Sequence, residues 1–234
     1  VSACLFAPCM LVTRCCFGEL MLISAIALPL IGLSLAVQWW WVAAAVTLIW
    51  LALLSFFRDP IRRLPRNLEP GDMICPADGV VSAVETVDHH EATGGAAVII
   101  RIFLSVLNVH VNRAPYDGEV IALRYVPGKF RNAQTAESAH VNEYNLITVR
   151  IHGEQVTSET IGIRQVSGMI ARTIVCPLKV GDRMQRGAKF GMIKFGSTTE
   201  LILPRPNDVE VRVKKGDSVR GGRQIIARLR PMNL

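Results

Sequence analysis

A long apolar run near the beginning of the chain limits what this sequence can fold into. From Leu20 to Phe57 no residue carries a charge. At about 1.5 Å per residue, one helix over this run would be far longer than the roughly 30 Å hydrocarbon core of a bilayer. We therefore expect two helices, Leu20–Val37 and Trp40–Phe57, joined by a turn near Gln38. This hydrophobic helical hairpin is the first element of the predicted fold.

The residues that flank the hairpin favour a membrane location. Trp39, Trp40 and Trp41 would lie at a membrane–water interface, where indole rings are favoured. Arg14 precedes the run and a cluster of arginines at residues 58–66 follows it, so the positive-inside rule places both ends on the cytoplasmic side. A cleaved signal peptide and a pair of buried core helices are the alternatives. A second apolar stretch directly after the first argues against both.

The chain is basic, and its positive charge is concentrated in two places. The formal net charge is +7, with many of the cations after the apolar run and in the tail that follows residue 204. Beside a membrane hairpin, such charge favours anionic lipid headgroups. Nucleic acid is the other partner that a basic surface can bind, but no helix-turn-helix, zinc-finger or RNA-binding motif supports it. The six cysteines form no CxxC pair and no disulfide framework, so we expect reduced thiols and no metal.

After residue 58 the sequence changes to short strand-like runs separated by Gly-Asp, Asp-Gly and Pro-Gly pairs. The predicted strands include Gly79–Val84, Ala97–Leu104, Gly118–Tyr125, Asn145–Ile151, Ile170–Val175 and Val209–Val213. Ser167–Arg172 is a candidate for the start of a short helix. We expect a mainly β (α+β) cytoplasmic domain over residues 58–234, preceded by an N-terminal membrane-associated segment of residues 1–57.

Two turns in the C-terminal part of the chain resemble each other. A Gly-Asp pair at residues 181–182 and another at 216–217 are each followed by a further glycine and an apolar strand. The pair at 71–72 is a looser relative. Tight turns followed by strands that enter a shared core are typical of biotinyl/lipoyl-like modules. The β domain is therefore expected to contain lipoyl-like β-sandwich elements.

One peptide bond near the C-terminus can support chemistry. Gly196-Ser197 lies between the apolar stretch Phe190–Ile193 and the strand-like run Leu201–Leu203. A serine hydroxyl can attack the preceding carbonyl and then leave by β-elimination, which breaks the chain after Gly196 and converts Ser197 into a pyruvoyl group. Glycine before the serine removes a side chain that would hinder the attack. Taken alone, the pair is more often an ordinary turn.

Several other polar residues lie in apolar or turn-forming surroundings. They are Asp78, His110, Asn112, Arg113, Asn142, Glu143 and Gln165. Taken alone, the pair Asp78-Gly79 predicts an ordinary hairpin turn. A single histidine in an apolar strand is more often structural than catalytic. Three polar side chains between His110 and Arg113 nevertheless need partners or a substrate.

Six motifs, taken in order, resemble one enzyme family. They are FFRDPIRRLP, PADGVV, FLSVLNVHVNRAP, NE at 142–143, QVSGMIARTIV and KFGST. The chain resembles the phosphatidylserine decarboxylases, in particular the short bacterial proenzymes, from about residue 55 to the C-terminus. The resemblance implies a membrane-associated carboxy-lyase that converts phosphatidylserine to phosphatidylethanolamine and carbon dioxide in phospholipid biosynthesis. The preceding hairpin also fits this family.

The resemblance further implies a zymogen that matures by autocatalytic cleavage between Gly196 and Ser197. The products are a β chain, residues 1–196, and an α chain, residues 197–234, which form a heterodimer alone or within a higher oligomer. The cofactor is the pyruvoyl group made from Ser197, which binds the substrate amine as a Schiff base and acts as an electron sink. Neither pyridoxal phosphate nor a metal is expected. The expected location is the bacterial inner membrane, with the catalytic domain on the cytoplasmic face and phosphatidylserine in the anionic membrane as substrate.

The same resemblance implies roles for individual residues. Ser197 is the nucleophile, and Asp78 and His110 are expected beside it because a serine hydroxyl needs activation by a base. His110 would also protonate Cα after decarboxylation. The residues implied in substrate binding are Arg113, Asn112, Asn142, Glu143 and Gln165. Longer bacterial relatives carry a second histidine where this chain has Arg113, so a complete Asp-His-Ser relay stays open, while an arginine there would suit a carboxylate or phosphate.

Two other functions stay open. A pyruvoyl enzyme of this type could act on another serine-headgroup lipid, such as an archaetidylserine-like ether lipid, because headgroup motifs do not report the chemistry of the tails. A membrane-anchored lipoyl-like adaptor would bind a partner and catalyse nothing. The adaptor hypothesis leaves Gly196-Ser197 and the His110 segment unexplained.

Overall fold

The chain consists of a helical unit and a β unit. The computed structural model describes residues 17–129, 141–152, 159–168, 173–194 and 197–231. The first unit ends at Ile61, and the second begins at Arg62. The domain boundary that the sequence places after residue 57 stays a prediction.

The helical unit contains two apolar helices, α1 (Phe17–Ala36) and α2 (Trp40–Phe56). Gln38 lies in the turn between them with φ of 59°, in the left-handed region that chain reversals use. Trp50 Nε1 donates a hydrogen bond to Ser24 Oγ at 3.2 Å and joins the two helices. The predicted pair of helices and the predicted turn are confirmed.

The hairpin exposes an apolar surface. Trp41 is 90% exposed, and Leu48 is 67% exposed. Among the described residues, α1 has the length and composition of a membrane-crossing helix, whereas α2 is shorter. Exposed apolar patches mark protein or membrane contact sites. The orientation of the hairpin in a membrane stays a prediction.

The β unit contains fourteen strands within the described residues. They are β1 (Asp72–Ile74), β2 (Gly79–His90), β3 (Gly95–Leu104), β4 (Val111–Arg113), β5 (Gly118–Val126), β6 (Tyr144–Ile151), β7 (Thr160–Ser167), β8 (Ile174–Val175), β9 (Arg183–Met184), β10 (Lys189–Ile193), β11 (Ser197–Pro204), β12 (Val209–Val211), β13 (Ser218–Val219) and β14 (Ile225–Leu229). A short 3-10 helix, Pro206–Asp208, follows β11. The prediction of a mainly β domain after two helices is confirmed. Residues 170–172 of one predicted strand lie outside the described residues, as does most of the candidate helix Ser167–Arg172.

Eight of the strands form one antiparallel sheet, in the order β13-β2-β3-β11-β7-β6-β5-β9. Two three-stranded antiparallel sheets, β1-β14-β12 and β4-β10-β8, complete the unit. Strand β11 lies in the middle of the large sheet, and all eight of its residues are buried. Leu201 and Leu203 pack in the main hydrophobic core, and Ile202 packs in a second cluster. A strand covered on both faces in this way has a strongly specified register.

A buried charge cluster fixes the register of β11. Glu200 lies directly opposite Arg101 of β3 and Arg164 of β7. Its carboxylate is fully buried, 2.7 Å from Arg101 and 3.2 Å from Arg164. A buried carboxylate without these partners would be costly, so a shift of β11 along its neighbours is unfavourable. The cluster thereby fixes the position of Ser197 at the start of the strand.

Three Gly-Asp turns share one geometry. At residues 71–72, 181–182 and 216–217 the glycines have φ of 81°, 91° and 96°, a conformation that favours glycine. Each aspartate Oδ2 accepts the backbone N–H three residues earlier, at 2.9, 2.8 and 2.9 Å respectively. The similarity of these turns, predicted from the sequence, is confirmed.

Part of the basic tail is used in ion pairs within the β unit. Arg228 contacts the fully buried Asp72 at 2.7 Å. Burial opposes ionisation of Asp72, but the hydrogen bonds from Arg228 and the Glu69 backbone and the charges of Arg228 and Arg212 together outweigh it, and the pKa of Asp72 is lowered. Arg205 pairs with Glu159 and Asp208. These arginines therefore stabilise the fold, and binding of lipid headgroups by other cations of the tail stays a prediction.

Candidate active site

Several candidate residues gather at one end of the eight-stranded sheet. Ser197 begins β11, opposite Leu104 at the end of β3 and Ser167 at the end of β7. The segment that carries His110 leaves β3 at this end, and Asp78 directly precedes the start of β2. We call this region the Ser197 end of the sheet.

The hydroxyl of Ser197 is buried and unpaired. The residue has no exposed surface, and its Oγ has no hydrogen-bond partner among the described residues. Leaving a buried polar group unsatisfied costs about 1–3 kcal/mol, so such groups are rare and need an explanation. A hydroxyl that reacts with a neighbouring carbonyl is one such explanation. Gly196, the other half of the predicted cleavage site, lies outside the described residues.

A buried chain of side-chain hydrogen bonds lies next to Ser197. Thr199 is two residues along β11 and therefore points to the same face of the sheet. Asn112 Nδ2 donates to Thr199 Oγ1 at 2.9 Å. Gln165 Nε2 donates to Asn112 Oδ1 at 2.8 Å, and Asn145 Nδ2 donates to Gln165 Oε1 at 3.1 Å. The structure thus brings two of the predicted substrate-binding residues, Asn112 and Gln165, together beside the serine.

Asn142 and Glu143 hold the residue opposite Ser197. Asn142 Nδ2 donates to the carbonyl of Ser167 at 2.9 Å, and Ser167 Oγ donates to the carbonyl of Glu143 at 3.2 Å. Directly opposed residues of two antiparallel strands point to the same face of the sheet, so both serine side chains lie on one face. The Glu143 carboxylate hydrogen-bonds Tyr125, and desolvation together with that carboxylate raises the pKa of Tyr125.

His110 is fully buried in the connection between β3 and β4. Its Nδ1 lies 2.9 Å from the carbonyl oxygen of Asn108. Because a carbonyl oxygen only accepts, Nδ1 carries a proton, and Nε2 is the basic nitrogen of the neutral ring. The carbonyl of His110 accepts the N–H of Ile193 at 3.3 Å. This contact ties His110 to the strand that leads into Ser197.

Asp78 lies at the same end of the sheet but is bonded to other groups. Its Oδ2 lies 2.6 Å from Arg62 Nη2, and its Oδ1 accepts the N–H of Gly221 at 2.8 Å. Strand β3 lies between β2 and β11 in the sheet. The backbone near Asp78 is therefore two strand spacings, or about 10 Å, from the backbone of Ser197. Asp78 is therefore close to the serine without a hydrogen bond to it.

Arg113 points away from Asn112. Successive residues of β4 face opposite sides, and Arg113 Nη1 donates to the carbonyl of Gly187 at 3.2 Å. Its Cδ packs on Gly222, where a Cβ would lie only 2.8 Å from that atom. The preceding residue, Gly221, donates its backbone N–H to Asp78. The structure accordingly places Arg113 with the Asp78 group and apart from Asn112 and Gln165.

Cys75 is the described cysteine nearest to Asp78 in the chain, and it is fully buried. Burial raises the pKa of the Cys75 thiol to about 12. The thiolate is the reactive form of cysteine, so Cys75 is inert at neutral pH.

Sequence reasoning missed three residues of this region. In the sequence, Arg62 is only one of the positive charges that follow the apolar run. In the structure its guanidinium forms an ion pair with Asp78. Asn145 and Thr199 complete the hydrogen-bond chain of Asn112. A polar residue at the start of the apolar run Asn145–Ile151 is the signal that identifies Asn145, but Thr199 has no comparable signal.

Comparison with known proteins identifies the family. A model of the phosphatidylserine decarboxylase family matches residues 51–227. A phosphatidylserine decarboxylase proenzyme of Rhodopirellula baltica is 42% identical over 216 residues, covering 91% of this chain and 88% of the relative. A protein of the same name from Symbiobacterium thermophilum is 43% identical over 199 residues, covering 84% and 87% respectively.

The match covers nearly all of the β unit, including Asp78, His110 and Ser197. The chain belongs to the phosphatidylserine decarboxylase family. Members of this family are carboxy-lyases, and the chain is therefore an enzyme. The resemblance stated from its six motifs is confirmed.

Proposed function

We propose that this chain is a self-processing phosphatidylserine decarboxylase whose prosthetic group is a pyruvoyl group made from Ser197. The observation that supports it most is the buried, unpaired Oγ of Ser197 at the start of β11. The relatives are named as proenzymes, which agrees with a maturation step. The family membership supports the decarboxylation.

Maturation uses only groups of the chain itself. Ser197 Oγ loses its proton to a base and attacks the carbonyl carbon of Gly196. The C–N bond breaks, the serine nitrogen takes up a proton, and an ester joins the two residues. Loss of the Cα proton of Ser197 then expels the Gly196 carboxylate and leaves a dehydroalanine. Its imine tautomer reacts with water and releases ammonia, which produces the pyruvoyl group at the start of the α chain.

The surroundings of Ser197 fit a small ketone-bearing group. The residue is enclosed, and Ser167 and Thr199 supply hydroxyl groups on the same face. When present, the pyruvoyl carbonyl supplies the electron sink that α-decarboxylation of an amino acid headgroup needs. Asn112 holds the Thr199 hydroxyl, and Asn142 and Glu143 hold Ser167. These residues would keep the group in one orientation and away from water.

His110 is the proposed general base of maturation and the proton donor during turnover. Its Nδ1 donates to the Asn108 carbonyl, so the proton transfer would take place at Nε2. Asp78 acts in maturation, by orienting or deprotonating the group that activates Ser197. Arg113, which lies with the Asp78 group, is the proposed contact of the substrate headgroup, whereas the buried amides of Asn112 and Gln165 would support the residues around Ser197. Arg113 suits its carboxylate or phosphate.

The proposed location is the bacterial inner membrane. The apolar hairpin of α1 and α2 would anchor the protein, with the β unit on the cytoplasmic face where the flanking arginines place it. The β and α chains remain together as a heterodimer, because β11 lies between β3 and β7 of the β chain. The activity is tested by measuring carbon dioxide release from phosphatidylserine vesicles by the purified chain. No release by the wild type, or equal release by Ser197→Ala, would overturn the proposal.

A further inference from the structure

An exposed apolar turn lies directly beside the candidate active site. Val106 and Leu107 follow the end of β3, and their side chains are 44% and 82% exposed. No acidic residue, lysine or arginine occurs from Ile102 to Val111. A largely exposed leucine alone is ordinary. Its position between the strand opposite Ser197 and the buried His110 is what distinguishes it.

The turn is closed by its own hydrogen bonds. The backbone N–H and the hydroxyl of Ser105 both donate to Asn108 Oδ1, at 2.9 and 2.7 Å. The N–H of Asn108 donates to the carbonyl of Ser105 at 2.9 Å. Side chains of Ser and Asn often stabilise turns in this way. Val106 and Leu107 therefore form the tip of an ordered turn.

Other residues at the Ser197 end suit a lipid surface. Val80 lies opposite Phe103 at this end of the sheet and is 42% exposed. Lys129 follows β5 at this end of the sheet and is exposed. Apolar side chains that enter a bilayer interface together with nearby cations form the usual combination for binding anionic lipid.

We propose that the tip formed by Val106 and Leu107 inserts into the lipid surface and holds the Ser197 end of the sheet against the bilayer. The inference rests on the proposed function in one respect, that the substrate is a membrane phospholipid. Its headgroup must reach a buried serine, and a lipid that stays partly in the bilayer needs the site to be close to the surface. The connection that carries the tip also carries His110, so insertion positions the active site at the lipid headgroups.

The test compares two forms of the substrate. Leu107→Asp and Leu107→Ser are assayed on anionic vesicles and on short-chain phosphatidylserine kept monomeric, with rates normalised to cleaved enzyme. We expect kcat/KM of Leu107→Asp on vesicles to fall by about 10-fold or more, because a buried leucine is worth at least that factor. The rate on monomeric lipid should be little changed. Activity of the wild type on both substrates establishes the proposed function separately.

Val180 provides a matched control. It is 63% exposed, and it precedes β9, which pairs with Gly118 at the other end of the sheet. Val180→Asp should leave both rates little changed. An equal loss on vesicles and monomers for Leu107→Asp, an unchanged vesicle rate, or an equal vesicle loss for Val180→Asp would overturn the proposal.

A second readout does not depend on activity. A photoreactive p-benzoylphenylalanine replaces Leu107 or Val180 in the full chain, which is then bound to vesicles and irradiated. Mass spectrometry should find phospholipid adducts at position 107 and few at position 180. Crosslinks from position 107 to a second copy or to another protein, or equal lipid adducts at both positions, would contradict insertion of the tip.

Discussion

The carboxylate of Asp78 is bound by Arg62, with Oδ2 2.6 Å from Nη2, in a pair that is 13% and 9% exposed on the two side chains. A paired and largely buried carboxylate is held in one orientation by its charge-assisted hydrogen bond. Its second oxygen accepts the N–H of Gly221. Asp78 is thereby suited to act through its negative charge, and Arg62 becomes a positioning residue for it.

Asp78→Asn should accumulate uncleaved chain. The amide keeps the shape of the side chain, but it supplies neither the negative charge nor a base. Arg62→Ala should slow cleavage in the same direction, since it leaves the carboxylate without its partner, and Arg62→Lys should restore part of the rate. The fraction of cleaved chain is followed with time on denaturing gels. Normal maturation of both Asp78→Asn and Arg62→Ala would remove the pair from the mechanism.

His110→Ala should lose decarboxylation even in molecules that have matured. General acid–base groups typically contribute about 10²–10⁴-fold, so the rate per pyruvoyl group should fall by a factor in that range. Carbon dioxide release divided by pyruvoyl content is the measurement. Unchanged turnover in the cleaved variant would leave His110 with a role in maturation or structure only.

Gln165→Ala should destabilise the β unit. The change removes the donor to Asn112 Oδ1 and the acceptor of Asn145 Nδ2, and a buried polar group without its partner costs about 1–3 kcal/mol. Thr86→Ala, on the exposed part of β2, is a control that should change stability little. Denaturant unfolding in detergent reports both. If the free energy of unfolding of Gln165→Ala equals that of the wild type, the hydrogen-bond chain contributes nothing to stability.

Local patterns in the sequence predict much of the fold. The charge-free run predicts both helices, and short strand-like runs between turn pairs predict strands such as β3 and β6. The three Gly-Asp turns are predicted because glycine at positive φ and an aspartate acceptor are local requirements. The pairing of β11 between β3 and β7 is not predictable in this way, since it joins residues far apart in the chain.

The candidate site is predicted less completely for the same reason. The motifs identify Ser197, His110 and Asp78, because each carries an unusual residue in a distinctive local setting. The partner of Asp78 is not predicted, because Arg62 looks like one more cation after an apolar helix. Closeness in the sequence also does not imply a shared site. Asn112 and Arg113 are neighbours in the chain, but successive residues of a strand point to opposite faces.

Removal of residues 1–57 should release the protein from membranes while leaving the β unit folded. The truncation keeps Arg62, and the β unit begins at that residue. Exposed cations such as Lys214, Lys215 and Arg220 should leave a weak attraction to anionic vesicles. Screening acts within about 8–10 Å at ordinary ionic strength, so the residual binding should fall with salt. Membrane retention that is strong and independent of salt would contradict this division between anchor and β unit.

The most direct test of self-processing is the intact mass of the purified protein under denaturing conditions. We expect two chains, residues 1–196 and residues 197–234, the second with a blocked N-terminus and a mass lower by one ammonia than a chain beginning with serine. Ser197→Ala should give one uncleaved chain, because alanine has neither nucleophile nor leaving group, and Ser197→Cys should cleave slowly. A wild-type protein that stays whole while it decarboxylates phosphatidylserine, or a Ser197→Ala protein that is cleaved normally, would contradict the account.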